Sequence, residues 1–242
     1  NFDYYIIKYN SSGVQQWAQR YNGTGNSFDT PFQLVIDNSG NCYVSGYSVG
    51  VGTGYDYLTI KYNSAGVFQW EQRYNGTGNS TDVANSLAVD GFGNVFVTGF
   101  SGGSGSANDI TTIKYNSAGA QQWLQRYNGA GNGNDGGIFL TADDSGNVYV
   151  SGYSAGTSSG DDYTTIKYNS AGVQQWLQTY NGTGNAADDV YSLAIDRTGN
   201  IYVTGYSFGS GTNNDHATVK YNSAGTQQWV QRYNGPTSNS DE

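Results

Sequence analysis

Carboxylates are the main candidates for catalytic chemistry in this sequence. Nineteen Asp and Glu residues stand against ten Lys and Arg residues, and the formal net charge is −9 at pH 7. Acidic pairs occur at Asp143-Asp144, Asp161-Asp162 and Asp188-Asp189. Neighbouring residues of a strand point to opposite faces, whereas a retaining glycosidase needs two carboxyl groups about 5 Å apart on facing elements. The pairs therefore predict no active site, and we expect a chain that is not an enzyme.

A second acidic pattern, Gly-x-Gly-Asn-x-x-Asp, occurs four times. Its Asn and Asp residues are candidates for a binding face made of loops: Asn26, Asp29, Asn79, Asp82, Asn132, Asp135, Asn185 and Asp188. The aspartates could accept backbone amides and so fix the loop, or could supply oxygen ligands to calcium. Calcium takes about six or more oxygens, and the segments lack a dense Asp-x-Asp-x-Asp pattern. Loop fixing is the favoured interpretation; we expect no cofactor or metal, with calcium as the alternative.

The other reactive side chains are isolated. With one Cys and one His, the chain has no internal disulfide and no plausible set of partners for a His-based zinc site or a His-paired nucleophile. Cys42 shares its repeat position with Val95, Val148 and Ile201, which predicts a small core side chain. The Gly-x-Gly-Asn segments also lack the Lys-Ser/Thr pair of a P-loop.

A ten-residue stretch recurs at intervals of 53 residues. Stretches such as KYNSAGVQQW begin at Lys8, Lys61, Lys114, Lys167 and Lys220. The Trp that ends each stretch is predicted to be a structural core residue: Trp17, Trp70, Trp123, Trp176 and Trp229. Because every copy keeps the Trp, packing between repeats is favoured over a glycan-stacking platform. Each Lys follows an Asp by five residues, which predicts a packed stem with its ammonium bound to a carboxylate or a carbonyl.

One repeat contains four candidate strands. From Ile138 onward the runs IFLTAD, VYVSGYS, DYTTIKYN and VQQWLQTYNG are bounded by Gly, Asn, Asp or Ser, as is typical of an antiparallel meander. Equal sheets bury their faces by packing around an axis, so the sequence predicts an all-β fold, a β-propeller. We expect a single domain, or a segment of one, with a two-stranded half-blade at 3–22 and complete blades at about 32–75, 85–128, 138–181 and 191–234.

The half-blade would leave one strand edge unpaired, which predicts a protein partner or self-association at that edge. The terminal GPTSNSD repeats GTGNAAD, with Asp241 in the position of Asp188. We therefore expect another hairpin of the same type, either in a continuation of the chain or from a neighbouring chain.

The segment DYTTIKYNSAGVQQWLQTYNG and the later SLAIDRTGNIYVTGYS resemble the bacterial β-propeller repeat family abbreviated SBBP. The resemblance runs through the whole chain. It implies four strands per blade, A to D in chain order, with the Lys at the end of strand C and the Trp in strand D. The family occurs in surface and secreted proteins, which implies an extracellular or cell-surface location. It implies no activity, because the family describes a scaffold.

Connections on the two faces of such a blade differ. The turns from A to B and from C to D are short, whereas the B to C connections vary: SVGVGTGY, SGGSGSAN, SAGTSSGD and SFGSGTNN. Variable loops on a rigid scaffold are the expected recognition surface. We expect a non-catalytic structural or assembly module or a protein-interaction scaffold, with a glycan-binding propeller as the alternative. Few basic residues and no long apolar run predict neither nucleic-acid binding nor membrane insertion.

Overall fold

The computed structural model describes residues 2–236, and within this range the regular structure consists of 18 strands without a helix. The half-blade contains β1 (Tyr4–Tyr9) and β2 (Gln15–Tyr21). Blade 1 contains β3 (Asp29–Ile36), β4 (Cys42–Gly50), β5 (Gly54–Tyr62) and β6 (Phe68–Tyr74). Blade 2 contains β7 (Asp82–Val89), β8 (Val95–Gly102), β9 (Asn108–Tyr115) and β10 (Gln121–Tyr127). Blade 3 contains β11 (Asp135–Ala142), β12 (Val148–Ala155), β13 (Asp161–Tyr168) and β14 (Gln174–Tyr180). Blade 4 contains β15 (Asp188–Ile195), β16 (Ile201–Gly209), β17 (Asn213–Tyr221) and β18 (Gln227–Tyr233).

Each blade is an antiparallel four-stranded sheet whose strands A to D follow chain order. The A strands β3, β7, β11 and β15 contact one another in succession, so they form the inner edge of the blades. The prediction of an all-β propeller with four complete blades and an N-terminal half-blade is confirmed. Asp241, whose position predicts a further A strand, lies outside the described residues.

The strands extend further toward one face than the sequence pattern predicts. Each A strand begins at the aspartate of the Gly-x-Gly-Asn-x-x-Asp pattern, three residues before the predicted boundary. The reason is that this aspartate pairs with the end of the B strand, as Asp135 does with Ser154. Strands B and C also continue their pairing, as between Val49 and Tyr55. The predicted long B to C loops are therefore short connections at 51–53, 103–107, 156–160 and 210–212.

The apolar core lies in the seams between consecutive blades. Four clusters of buried side chains occur within residues 2–236, one at each seam from the half-blade to blade 4. The seam between blades 2 and 3, for example, joins Phe96 and Ile110 to Val150 and Ile166. Apolar burial at about 25 cal/mol per Å² makes these seams the main source of stability. Each blade therefore depends on its neighbour to cover one face.

Candidate functional site

The four predicted aspartates lie at the starts of the A strands and are almost completely buried. Asp29, Asp82, Asp135 and Asp188 are 0 to 1% exposed. Each accepts the amide of a glycine six residues earlier at 2.6 to 2.7 Å. The second oxygen of Asp135 accepts the Ala155 amide at 3.0 Å. Burial raises the pKa of Asp82, Asp135 and Asp188. Their prediction as part of an open binding face is corrected, since these carboxylates fix the loops from inside.

The four predicted asparagines are exposed turn residues. Asn26, Asn79, Asn132 and Asn185 have φ angles between 45° and 51°, in the left-handed region that Asn tolerates better than most residues. The side-chain oxygen of each accepts a hydrogen bond from an Asn four residues earlier at 2.6 to 2.8 Å. Of the predicted loop residues, these asparagines are the ones that remain at the surface.

The tryptophans lie on the outer parts of the seams. Trp17, Trp70, Trp123 and Trp176 each donate Nε1–H to a Ser carbonyl in the C to D turn of the next blade, at 3.2 Å. The lysine of the same blade donates Nζ–H to that same carbonyl at 2.9 to 3.4 Å. A glycine of the turn lies directly against the ring, and a Cβ at Gly119 would be 2.9 Å from Trp70. The repeated Lys and Trp thus form one blade-to-blade contact.

Three details of the seams differ from the sequence prediction. Trp229 is 38% exposed, because no blade within the described residues follows blade 4, and it is not a core residue. Trp70 is 9% exposed, whereas Trp17, Trp123 and Trp176 are only half-buried. The prediction that the lysine ammonium binds a carboxylate is also wrong. Four of the aspartates that lie five residues before a lysine form ion pairs with arginines instead: Asp3, Asp56, Asp109 and Asp215.

Three of the blades hold an arginine in the same four-part receptor. Arg126 of blade 2 donates to Asp109 Oδ2 at 2.8 Å, to Ser101 Oγ at 2.8 Å and to the Ser101 carbonyl at 3.0 Å. It also donates to Tyr74 Oη of blade 1 at 3.1 Å. Arg232 of blade 4 repeats all four contacts, and Arg73 of blade 1 repeats those to the Asp and the Ser. The guanidinium groups of Arg126 and Arg232 therefore each crosslink two blades.

Blade 3 keeps the receptor but has Thr179 where the arginine would be. The receptor residues Tyr127, Ser154 and Asp162 line a cavity of about 300 Å³ together with Thr179. Asp162 Oδ2 accepts a hydrogen bond from Ser159 Oγ at 2.8 Å, and no ion pair to Asp162 occurs within residues 2–236. Burial, reinforced by the charges of Asp188 and Asp161, raises the pKa of Asp162. We did not predict this site, although the change from QRY to QTY in the aligned repeats signals it.

The half-blade provides a second candidate surface. Strand β1 pairs with β2 along one edge only. Between β1 and β3 lie cavities of about 440 and 370 Å³, lined largely by apolar side chains that include Ile7 and Leu34. Leu34 is 47% exposed, whereas Leu87 at the same position of blade 2 is 1% exposed. Within residues 2–236 no A and B strands accompany the half-blade, and the groove is open there.

Three further findings concern metal ligands, the thiol and apolar helices in the part of the chain that the structure describes. No three His, Cys, Asp or Glu side chains there are grouped so as to hold a metal ion. Cys42 is buried, and burial raises the pKa of its thiol to about 11. None of the elements at 2–236 is a helix of the length and apolarity needed to cross a membrane.

Comparisons with known proteins bear on the fold. The family model of the SBBP beta-propeller repeat matches residues 69–105 and 179–211. Among solved structures, a eukaryotic initiation factor has 9% identity and a TM-score of 0.46, over 95% of this chain and 65% of that one. A neuraminidase-like protein of A/flat-faced bat/Peru has 11% identity and a TM-score of 0.48, over 94% of this chain and 58% of that one.

These structural likenesses carry no information on activity. The chain spans less than two thirds of either solved structure, and no curated protein matches it. The family match is more specific, because both matched segments begin within a D strand and run through the A and B strands of the next blade. Residues 69–105 and 179–211 therefore have the sequence pattern of the SBBP beta-propeller repeat.

Proposed function

We propose that this chain is a non-catalytic assembly module that binds a β-hairpin of a partner chain at the free edge of its half-blade. The observation that carries the proposal is the single-sided pairing of β1 next to an open apolar groove. Free strand edges present unpaired N–H and C=O groups that favour addition of another strand. The predicted extracellular or cell-surface location stays a prediction.

The shape of the missing partner follows from the complete blades. In each of them the C strand pairs with a B strand over its whole length, as Tyr163 pairs with Tyr153 and Ile166 with Val150. Its A strand then lies against the inner strand of the next blade, as β7 lies against β11. A hairpin with the A and B sequence of this repeat would satisfy the β1 edge and cover the exposed Leu34 at the same time.

The proposal predicts binding of such a hairpin in trans. A synthetic peptide with residues 188–209, which form the A and B strands of blade 4, should bind the purified chain and slow hydrogen exchange of the β1 amides. Ile36→Asp serves as the groove variant, because Ile36 is 60% exposed and its replacement should weaken binding without unfolding the chain. A peptide of the same composition in scrambled order is the control.

Two results would contradict hairpin binding at β1. Slow exchange of all β1 amides in the chain alone, or equal binding of the ordered and scrambled peptides, would show that the edge does not select a hairpin. The alternative remains a glycan-binding propeller that uses the face of the B to C loops. Stacking of a glycan on the tryptophans has no support, since the Nε1–H groups of Trp17, Trp70, Trp123 and Trp176 are used between blades.

A further inference from the structure

We propose that the cavity between blades 2 and 3 is a binding site for the guanidinium group of an arginine side chain on a peptide or partner protein. The cavity lies away from the half-blade, so this inference is independent of hairpin binding at β1. It rests on a comparison inside the molecule, because the other complete blades show which group this receptor binds.

The cavity is lined by the same receptor residues that bind Arg126 in blade 2. In blade 2 the four acceptors of the Arg126 guanidinium are Asp109 Oδ2, Ser101 Oγ, the Ser101 carbonyl and Tyr74 Oη. The residues at the corresponding positions around the cavity are Asp162, Ser154 and Tyr127. All three residue types are retained, and the strand register that positions them is the same, with Ser154 opposite Asp162 as Ser101 is opposite Asp109.

The cavity has room for a guanidinium group. Thr179 occupies the position of Arg126, and its short side chain leaves the cavity of about 300 Å³ in place of a guanidinium and its stem. The loop at 156–160 and the exposed side chain of Asn185 form other parts of the wall. The arginines that fill the receptor in blades 2 and 4 are each 19% exposed. The receptor is therefore within reach of a side chain that enters from solvent.

The charge around the cavity is negative. Asp162 has no cationic partner within residues 2–236, and Asp161 and Asp188 add negative charge close to it. A partly buried carboxylate without a counter-ion favours a cation in a site of this kind. The site thus provides the negative potential that a guanidinium neutralises.

The arrangement of the acceptors favours a guanidinium over an ammonium group. The receptor spreads its acceptors over an aspartate and a serine of one blade and a tyrosine of the preceding blade. Arg126 reaches them with Nη1, which donates to Ser101 Oγ and Tyr74 Oη, and with Nη2, which donates to the Ser101 carbonyl and Asp109. Its Nε also donates to Asp109 Oδ2, at 3.3 Å. A planar fork satisfies this arrangement, whereas a lysine ammonium is a compact point donor. Arginine side chains should therefore bind in preference to lysine side chains.

The test measures binding of a capped tripeptide, N-acetyl-Gly-Arg-Gly-amide, to the full chain by isothermal titration calorimetry. We expect one equivalent to bind with a dissociation constant on the order of 1 mM, as suits a single buried side chain. The peptide with Lys in place of Arg should bind at least about tenfold more weakly. Equal binding of the two peptides, or no saturable binding of the Arg peptide up to about 20 mM, would overturn the proposal.

Variants assign any binding to this cavity. Thr179→Arg supplies an internal guanidinium and should abolish binding, and Asp162→Asn should weaken it at least about tenfold. Thr179→Val is the matched control that keeps the cavity and should retain binding. Unchanged binding to Thr179→Arg would place the peptide elsewhere and overturn the proposal.

Two further measurements sharpen the result. Arg126→Thr should create a second cavity of the same kind in blade 2 and raise the stoichiometry from one to two, provided that circular dichroism shows a folded chain. Free L-arginine should bind more weakly than the tripeptide, because its charged α-carboxylate would enter a negative environment. Tighter binding of free L-arginine than of the tripeptide would contradict a peptide or protein source.

Discussion

Blades 2 and 3 have the same strand order and the same B to C register, but one position differs in a way that decides whether a carboxylate is neutralised. Arg126 joins Asp109 to the preceding blade, whereas Thr179 leaves Asp162 facing a cavity. The comparison teaches how a binding site can arise in a repeat protein. Removing one side chain from a satisfied network leaves a receptor with preformed acceptors, and no new acceptor has to be added.

The largest expected effect comes from converting blade 2 into blade 3. Arg126→Thr should lower the free energy of unfolding by about 3 kcal/mol, because it leaves the Asp109 side chain, which is 7% exposed, as an unpaired buried charge. Urea unfolding of both proteins measures the difference. Thr179→Val in blade 3 is the matched control and should change stability by less than about 0.5 kcal/mol. Equal effects of the two substitutions would mean that Arg126 is not needed to neutralise Asp109.

The sequence predicts most of the fold because the repeat itself constrains it. Five copies of a Lys and Trp stretch at a fixed interval indicate equal structural units, and short apolar runs between Gly, Asn and Ser indicate their strands. Even the free edge of the half-blade follows from counting strands. These features depend on local sequence and on periodicity, which single sequences reveal well.

The seam contacts are harder to predict because their partners lie in different repeats. The sequence indicates that Lys61 is packed, but not that its Nζ and Trp70 Nε1 share the Ser117 carbonyl of the next blade. It likewise places Asp135 in a loop, whereas pairing with Ser154 makes it the first residue of a strand. The missing arginine of blade 3 is visible in the alignment of the repeats, but its meaning depends on the receptor that only the structure shows.

A smaller effect is expected from the reverse conversion. Thr179→Arg should raise the free energy of unfolding by about 1 kcal/mol, since the new guanidinium gains charge-assisted hydrogen bonds but loses side-chain freedom. Thermal and urea unfolding would both detect the gain. In the background of Asp162→Asn the same substitution should give no gain. A gain that persists without the carboxylate would come from packing of the arginine stem instead.

The smallest effect is a dependence on pH that separates the two aspartates. Burial, followed by the charges of Asp188 and Asp161, raises the pKa of Asp162 above its ordinary value near 3.8. As the pH falls, the folded chain therefore takes up a proton at Asp162 at a higher pH than the unfolded chain does. The stabilising contribution of this proton is complete below the unfolded pKa and is lost as the pH rises through the folded pKa. At pH 7 the charged carboxylate consequently lowers stability.

Replacing the carboxyl group with an amide tests that sign directly. Asp162→Asn should be more stable than the unmodified chain at pH 7 by roughly a few tenths of a kcal/mol, a small value because solvent screens this half-buried group. The advantage should shrink as the pH falls toward 4, where the unmodified side chain also becomes neutral. Asp109→Asn should have the opposite effect at pH 7, because it removes the partner of Arg126. Urea unfolding of the three proteins at both pH values measures these differences, and an advantage of Asp162→Asn that does not change with pH would show that Asp162 carries no unfavourable charge in the folded chain.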